Sequence, residues 1–263
     1  MTLALRSLRQ TVPLLVGLGA VLSVFEYSLV AVAASYERAG AFGRLAAFVP
    51  DFAQGHIGMA LTSFAAMTTS GYFEPLVVLI IAQFVIHLAA EPAAEIECGL
   101  ADLLLSRPLP RHRIVSRSLL VMIIATAALL AMMGSATALG LRLQAPPGAR
   151  WPEGRGVLLI LLNLALVVWC FGAATLAAAG WARRRASAQA PVAVACVAFY
   201  LANLLSPWWA PVRPLVKFSP FHYFRGAAII SGGGDLAFNL TVLGTAIVVA
   251  TGVAYWQFGR RDL

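Results

Sequence analysis

The sequence predicts an all-α integral membrane protein with six transmembrane helices. Of its 263 residues, 60% are hydrophobic and 11% are charged, whereas a soluble domain is about half apolar and a quarter charged. Several windows approach or exceed the roughly 20 apolar residues that a helix needs to cross about 30 Å of hydrocarbon. Alternating segments of about ten residues, typical of a transmembrane β-barrel, do not occur in the sequence.

Six apolar runs account for the predicted spans. The first follows a short head with Arg6 and Arg9, and it is too long for the apolar core of a signal peptide, about 7–15 residues, so we expect a retained anchor. The second run, Pro75–Ala90, is short, and we extend it back through Gly71. We expect the uncharged stretch 57–73 to form an interfacial or re-entrant helix, because a seventh span would place the N-terminus opposite the arginine-rich loops. The predicted spans cover residues 12–34, 71–90, 114–139, 157–182, 190–205 and 236–258.

Arginine clusters predict the orientation of the chain. The loops after spans two and four hold seven arginines close to helix ends, four within Arg107–Arg117 and three in Arg183–Arg185. Such loops favour the cytoplasmic side of a membrane, and six spans place both termini on one side. We therefore expect a multi-pass protein of the inner (cytoplasmic) membrane with both termini cytoplasmic. The net charge of +8 then indicates topology and contact with anionic lipids, and not nucleic-acid binding.

A charged, amphipathic segment, Glu95–Arg111, joins spans two and three. If it is helical, apolar residues spaced by three and four form one stripe, and acidic residues lie off it. The stripe consists of Ile96, Leu100, Leu103 and Leu104, and the acids are Glu95, Glu97 and Asp102. Pro108 and Pro110 end this helix. A helix on a lipid surface usually carries Lys and Arg on its polar face, so the acids favour docking to a protein partner over the lipid surface.

Several motifs occur in an order that is found in a known family. Glu95-x-Glu97-x-Gly99 is followed by Asp102-Leu-Leu-Leu-Ser-x-Pro108 and by Arg111-x-x-Ile-Val-x-Arg117. This order resembles the loop between the second and third spans of type-2 ATP-binding-cassette (ABC) transporter permeases, with Leu100 in place of the usual Thr. Two further segments are similar to segments of that family: Ser219-Pro-Phe-His-Tyr-Phe224 before the last span and Arg260-Arg-Asp-Leu263 at the end.

The resemblance implies a single type-2 ABC transmembrane domain over residues 1–263. In that family two six-span permease subunits form the pathway, and each presents the loop after its second span as a coupling helix to a cytoplasmic ATPase. It implies two ATPase copies that bind ATP and Mg, a second permease subunit, for which a homodimer is favoured, and export as the direction of transport. By resemblance, the ATPase-coupling residues are Glu95, Ile96, Glu97, Gly99, Leu100, Asp102, Leu103, Leu104, Pro108 and Arg111.

The sequence contains no nucleotide-binding motif of its own. Its only lysine, Lys217, is not part of a G-x-x-x-x-G-K-[ST] phosphate loop, so we expect a non-catalytic subunit that binds no cofactor and depends on a partner ATPase. The alternative from another class is an ATP-independent carrier or a membrane scaffold. Inverted repeats or broken helices would favour a carrier, and residues 1–130 and 131–263 show no symmetry. An intramembrane enzyme is less favoured, because the sequence has no G-x-S-x-G motif.

Polar residues inside the predicted spans are candidates for function. Glu26 lies in the middle of span one, where a carboxylate costs several kcal/mol unless it is paired or faces water, so we predict a residue of the translocation pathway. A structural partner for Arg, Ser or Tyr on a neighbouring helix is an equally weighted alternative. No His or Cys spacing indicates a metal site. The aromatic residues of Trp208–Phe224 favour an interfacial belt over a substrate-binding cage.

Overall fold

Among the residues that the computed structural model describes, six helical segments are long and apolar enough to cross a membrane. The structure describes residues 2–42, 44, 63–98, 112–224 and 236–260. Within these ranges the chain is helical and has no strand. Helices satisfy their own backbone hydrogen bonds, as a segment in hydrocarbon must. The predicted all-α, multi-pass membrane character is therefore confirmed.

The observed helices agree with the predicted spans to within a few residues at most ends. The described ranges contain nine α-helices, numbered in chain order. They are α1 (Thr2–Arg38), α2 (Phe64–Ser70), α3 (Pro75–Ala89), α4 (Glu91–Glu97), α5 (His112–Gln144), α6 (Gly154–Ala179), α7 (Arg185–Leu205), α8 (Arg213–Val216) and α9 (Leu236–Arg260). The candidate spans are Thr11–Arg38, Phe64–Ala89, His112–Gln144, Gly154–Ala179, Arg185–Leu205 and Leu236–Arg260.

The second candidate span is a broken helix. It consists of α2, a 3-10 helix at Gly71–Phe73 and α3. Glu74 has a ψ of 126°, outside the helical range, because a residue that precedes proline is disfavoured in the α conformation. Pro75 then occupies the first position of α3, where its missing N–H costs nothing. The backbone is therefore interrupted within an otherwise apolar span.

This span begins earlier than the sequence analysis predicts. The expected boundary is Gly71, whereas α2 starts at Phe64 and is capped by the Ser63 hydroxyl, which accepts a hydrogen bond from Ala66 N. Phe64 and Tyr72 are buried, and α2 packs against α1. Residues 63–73 thus pack within the bundle because their apolar side chains contact α1, while residues 57–62 of the expected interfacial helix lie outside the described ranges.

The core of the bundle is centred on α6, which packs against α3, α5, α7 and α9. α1 lies at the side and packs along α5. Glycines allow the close approach of these two helices: a Cβ atom at Gly140 would lie 3.0 Å from Val30 Cβ, and one at Gly19 would lie 2.5 Å from Met132 Cε. Small residues at helix contacts are the usual means of tight packing between membrane helices.

The longest of the six candidate spans is α5, with 33 residues. At its C-terminal end, Arg38 Nη2 donates a hydrogen bond of 2.7 Å to the carbonyl oxygen of Gln144. A cationic side chain there satisfies a free carbonyl and interacts favourably with the helix dipole. The ends of α1 and α5 are thereby joined on the side of the bundle opposite α4.

Candidate functional site

Glu26 is fully buried between α1, α5 and the 3-10 helix of the second span. Its side chain has 0% exposure, and Oε2 accepts a hydrogen bond of 3.4 Å from Thr137 Oγ1. Thr137 Oγ1 is in turn 2.7 Å from the Tyr72 hydroxyl. Glu26 Oε1 has no hydrogen-bond partner. The residue therefore faces neither lipid nor an open channel within this subunit, and its part in translocation stays a prediction.

The glycine at the helix break makes room for this carboxyl group. A Cβ atom on Gly71 would lie 2.6 Å from Glu26 Oε1 and 2.8 Å from Oε2. Both distances are shorter than a Cβ atom normally makes, so any side chain at position 71 would have to displace the carboxyl group. The buried acid and the interruption of the second span thus form one structural unit.

A second polar cluster lies at the opposite end of the bundle, where α4 meets the start of α5. Arg117 Nη2 donates a 2.6 Å hydrogen bond to Glu95 Oε2. The two side chains are 9% and 18% exposed, so the ion pair is largely shielded from water. Such charge-assisted hydrogen bonds are stronger than those between neutral groups. Glu95 therefore joins α4 to the third candidate span.

A second carboxylate of α4, that of Glu97, binds the start of α7. Glu97 Oε2 accepts a hydrogen bond of 2.8 Å from the backbone N–H of Arg185. The Arg185 side chain extends to α3, where Nη2 donates to the carbonyl oxygen of His87 at 2.9 Å. One residue thus joins the ends of α3, α4 and α7. In the sequence, Arg117 and Arg185 indicate topology, and Arg117 also ends the permease-like motif. Their positions at span ends are the sequence signal for this bridging role.

The remaining residues of the predicted coupling segment divide into two groups. Ile96 is half-buried and packs against the protein's own hydrophobic core, so its side chain is directed at least partly toward the bundle. Helix α4 ends at Glu97, and Cys98 is exposed. Seven predicted residues lie outside the described ranges: Gly99, Leu100, Asp102, Leu103, Leu104, Pro108 and Arg111.

The aromatic segment between α7 and α9 is partly inserted into the bundle. Phe221 is buried, with its ring centroid 5.2 Å from that of Phe171 and 5.4 Å from that of Tyr200. Asn163 Nδ2 donates a hydrogen bond of 3.4 Å to the Tyr223 carbonyl oxygen. In contrast, Trp208, Trp209 and Phe218 are exposed, as residues of an interfacial belt are. The segment therefore has an anchored part and an exposed part.

Other chemistry has little support from the described parts of the chain. In the ranges that the structure describes, no group of three or more His, Cys, Asp and Glu side chains is arranged to hold a metal ion. Cys170 and Cys196 are buried and unpaired, and free cysteines of this kind usually behave as small apolar residues.

No model of a protein family matches the sequence, and no curated protein is significantly similar to it.

Proposed function

We propose that this chain is the permease subunit of an ATP-driven ABC transporter, most simply an exporter. The proposal places it in the inner membrane with both termini and the segment Glu95–Arg111 in the cytoplasm. The observation that supports it best is the attachment of α4 to two spans, through Glu95 to Arg117 of α5 and through Glu97 to Arg185 of α7. The resemblance of this segment to the permease coupling loop supplies the expected partner, an ATPase.

The contacts of α4 suggest how a partner would act on the bundle. A force on the loop that follows α4 would reach α5 through the ion pair of Glu95 and α7 through Glu97. It would also reach α3, which precedes α4 and is bound by Arg185 through the His87 carbonyl oxygen. Because α5 packs along α1 and α7 packs against α6, displacement of these ends would be distributed over the membrane part. In this proposal ATP and Mg bind to the partner chain, and two copies of each chain make the transporter.

Co-purification tests the proposal. The tagged chain is extracted in detergent from the membranes of its native host, and the complex is weighed by native mass spectrometry. We expect two permease chains with two ATPase chains. As the matched control, an ATPase whose phosphate-loop lysine is changed to alanine should assemble equally well and lose hydrolysis. A stable, transport-active monomer without any ATPase would contradict the proposal.

An ATP-independent carrier is the second candidate, and two observations favour it. The second candidate span is interrupted at Gly71–Glu74, and Glu26 lies against the interruption. Interrupted helices that carry polar groups are typical of substrate and ion sites in secondary transporters. The carrier predicts that no ATPase is recovered with the chain in the experiment above, so one measurement distinguishes the two functions.

A further inference from the structure

We propose that Glu26, together with the hydroxyl groups of Thr137 and Tyr72, forms a proton-binding site inside the membrane bundle. The site goes beyond the proposed function and does not depend on it. The ligand is a proton, because the Glu26 carboxyl group lies too close to Gly71 for a hydrated ion to fit between them. When the proton is bound, Glu26 is a neutral acid.

Within the ranges that the structure describes, no cationic side chain forms an ion pair with Glu26. A buried carboxylate is normally paired with a cation, and an unpaired one takes up a proton instead. The ion pair of Glu95 and Arg117 lies at the other end of the bundle from Glu26. Glu26 itself belongs to α1, far along the helix from the charged residues at its two ends.

The 3-10 helix, α2 and α5 pack against α1. The 3-10 helix contributes the titratable group that faces Glu26, the phenol of Tyr72, and α5 contributes the Thr137 hydroxyl. α2 contributes Thr68 and Thr69, whose hydroxyls bond to the Ala65 carbonyl oxygen in their own helix. Tyr27, next to Glu26 on α1, accepts a hydrogen bond of 2.9 Å from Gln144 Nε2. Toward the ends of these elements lie Arg9, Tyr36, Glu37 and Arg38 on α1, Glu74 after the 3-10 helix, and His112, Arg113, Arg117 and Arg142 on α5.

Hydrogen-bond geometry at Thr137 favours the neutral acid. Thr137 Oγ1 lies 3.4 Å from Glu26 Oε2, 2.7 Å from the Tyr72 hydroxyl and 3.3 Å from the Met133 carbonyl oxygen. A threonine hydroxyl has one hydrogen to donate and two lone pairs that accept. With a proton on Oε2, Glu26 and Tyr72 both donate to Thr137, and Thr137 donates to Met133, so all three contacts are satisfied. With an ionised Glu26, the single hydroxyl hydrogen of Thr137 can be donated either to the Glu26 carboxylate or to the Met133 carbonyl oxygen, but not to both.

The helix break provides a route by which the proton can leave. Glu26 Oε1 has no partner and lies against Gly71, the first residue of the 3-10 helix. Movement of the segment Gly71–Glu74 away from α1 would admit water to Oε1, and hydration stabilises the ionised form. Proton release is therefore linked to rearrangement of the second span.

Infrared difference spectroscopy of the purified chain in lipid nanodiscs tests the site, with acidic and alkaline buffers as the two states. We expect a C=O stretching band of a carboxylic acid that is lost in Glu26→Gln and retained in Glu153→Gln, an exposed carboxylate at the start of α6. Thr137→Val and Tyr72→Phe keep the acid and should shift the frequency of this band.

Two outcomes would overturn the site. The first is a Glu26→Gln difference spectrum identical to that of the unchanged chain. The second is an unshifted band in both hydroxyl variants, which stays decisive if Glu26→Gln does not fold. Because no ATPase is present in the measurement, failure of the site leaves the co-purification result, and with it the proposed function, unaffected.

Discussion

The carboxylate of Glu95 and the guanidinium of Arg117 are 2.6 Å apart, although 22 positions separate the two residues in the sequence. Between them the chain leaves α4, passes through the predicted coupling segment and returns as α5. The ion pair therefore closes this loop at its base. Whatever conformation the loop takes, its two ends are held together.

Breaking this ion pair should destabilise the folded chain. Glu95→Gln and Arg117→Gln should each lower the free energy of unfolding by about 1.5–3 kcal/mol, the range for a hydrogen bond to a charged group, because the pair is largely shielded from water. Thermal unfolding in detergent micelles measures the loss, with Glu153→Gln as an unaffected control. The double variant Glu95→Arg with Arg117→Glu exchanges the two charges and should recover part of the lost stability. A double variant whose loss of stability equals the sum of the two single losses would argue against the contact.

Gly71→Ala should lower the free energy of unfolding. The added methyl group would lie 2.6 Å from Glu26 Oε1, and such overpacking costs about 1–3 kcal/mol. Gly252→Ala in α9 is the matched control, because nothing lies within 4 Å of its Cβ position, and helix propensity should stabilise that variant by about 0.5–1 kcal/mol. Unfolding in detergent compares them. Equal stability of the two variants would contradict the close approach of Glu26 to the helix break.

The aromatic segment between α7 and α9 has a buried and an exposed phenylalanine whose truncations can be compared. Phe221→Ala should cost about 3–5 kcal/mol, as truncation of a buried phenylalanine does, because its ring packs between Phe171 and Tyr200. Phe218→Ala, three positions earlier, should have an effect near zero, since Phe218 is 79% exposed. The midpoint of thermal unfolding distinguishes them. A small effect at both positions would mean that the segment is not inserted.

Membrane orientation can be tested with single cysteines. In a background that lacks Cys98, Cys170 and Cys196, Arg184→Cys should react with an impermeant thiol reagent only after the cells are opened, whereas Arg150→Cys should react in intact cells. Both side chains are exposed, so accessibility is not limiting. Labelling of position 184 in intact cells would reverse the orientation and remove the coupling segment from the cytoplasm.

The apolar stripe of the coupling segment should contribute more to ATPase binding than its acids. Leu103→Ala or Leu104→Ala should lower ATPase affinity by about 2 kcal/mol, roughly 30-fold, as truncation of a buried anchor does. Asp102→Ala should cost less than about 1 kcal/mol, because charges at the edge of an interface are screened. Co-purification and the rate of ATP hydrolysis measure both effects. Unchanged values after serine replaces the whole stripe would show that the segment lies on lipid.

The length and composition of the apolar runs were sufficient to predict the six spans, because the number of consecutive apolar residues can be read directly from the sequence. Pro75 likewise indicates the start of α3. The pairing of Glu95 with Arg117 was not predicted, nor was the contact of Gly71 with Glu26, because both depend on how separate helices are placed beside one another. The start of the second span was predicted too late, since Ser, Thr and Gly weaken the apolar pattern of residues 63–73, although most of residues 64–72 are buried. The coupling helix itself stays a prediction.

The 33 residues of α5 have a consequence for the lipid surroundings of the protein. At 1.5 Å per residue the helix is about 50 Å long, whereas the hydrocarbon layer is about 30 Å thick. The 21 residues of α7 measure only about 32 Å by the same rule. α5 must therefore tilt, or extend beyond the hydrocarbon at the end that carries His112, Arg113 and Arg117, at the end that carries Arg142, or at both. Bilayer thickness acts on α5 more than on α7, so the length of the lipid acyl chains influences how far the base of the loop after α4 lies from the membrane surface.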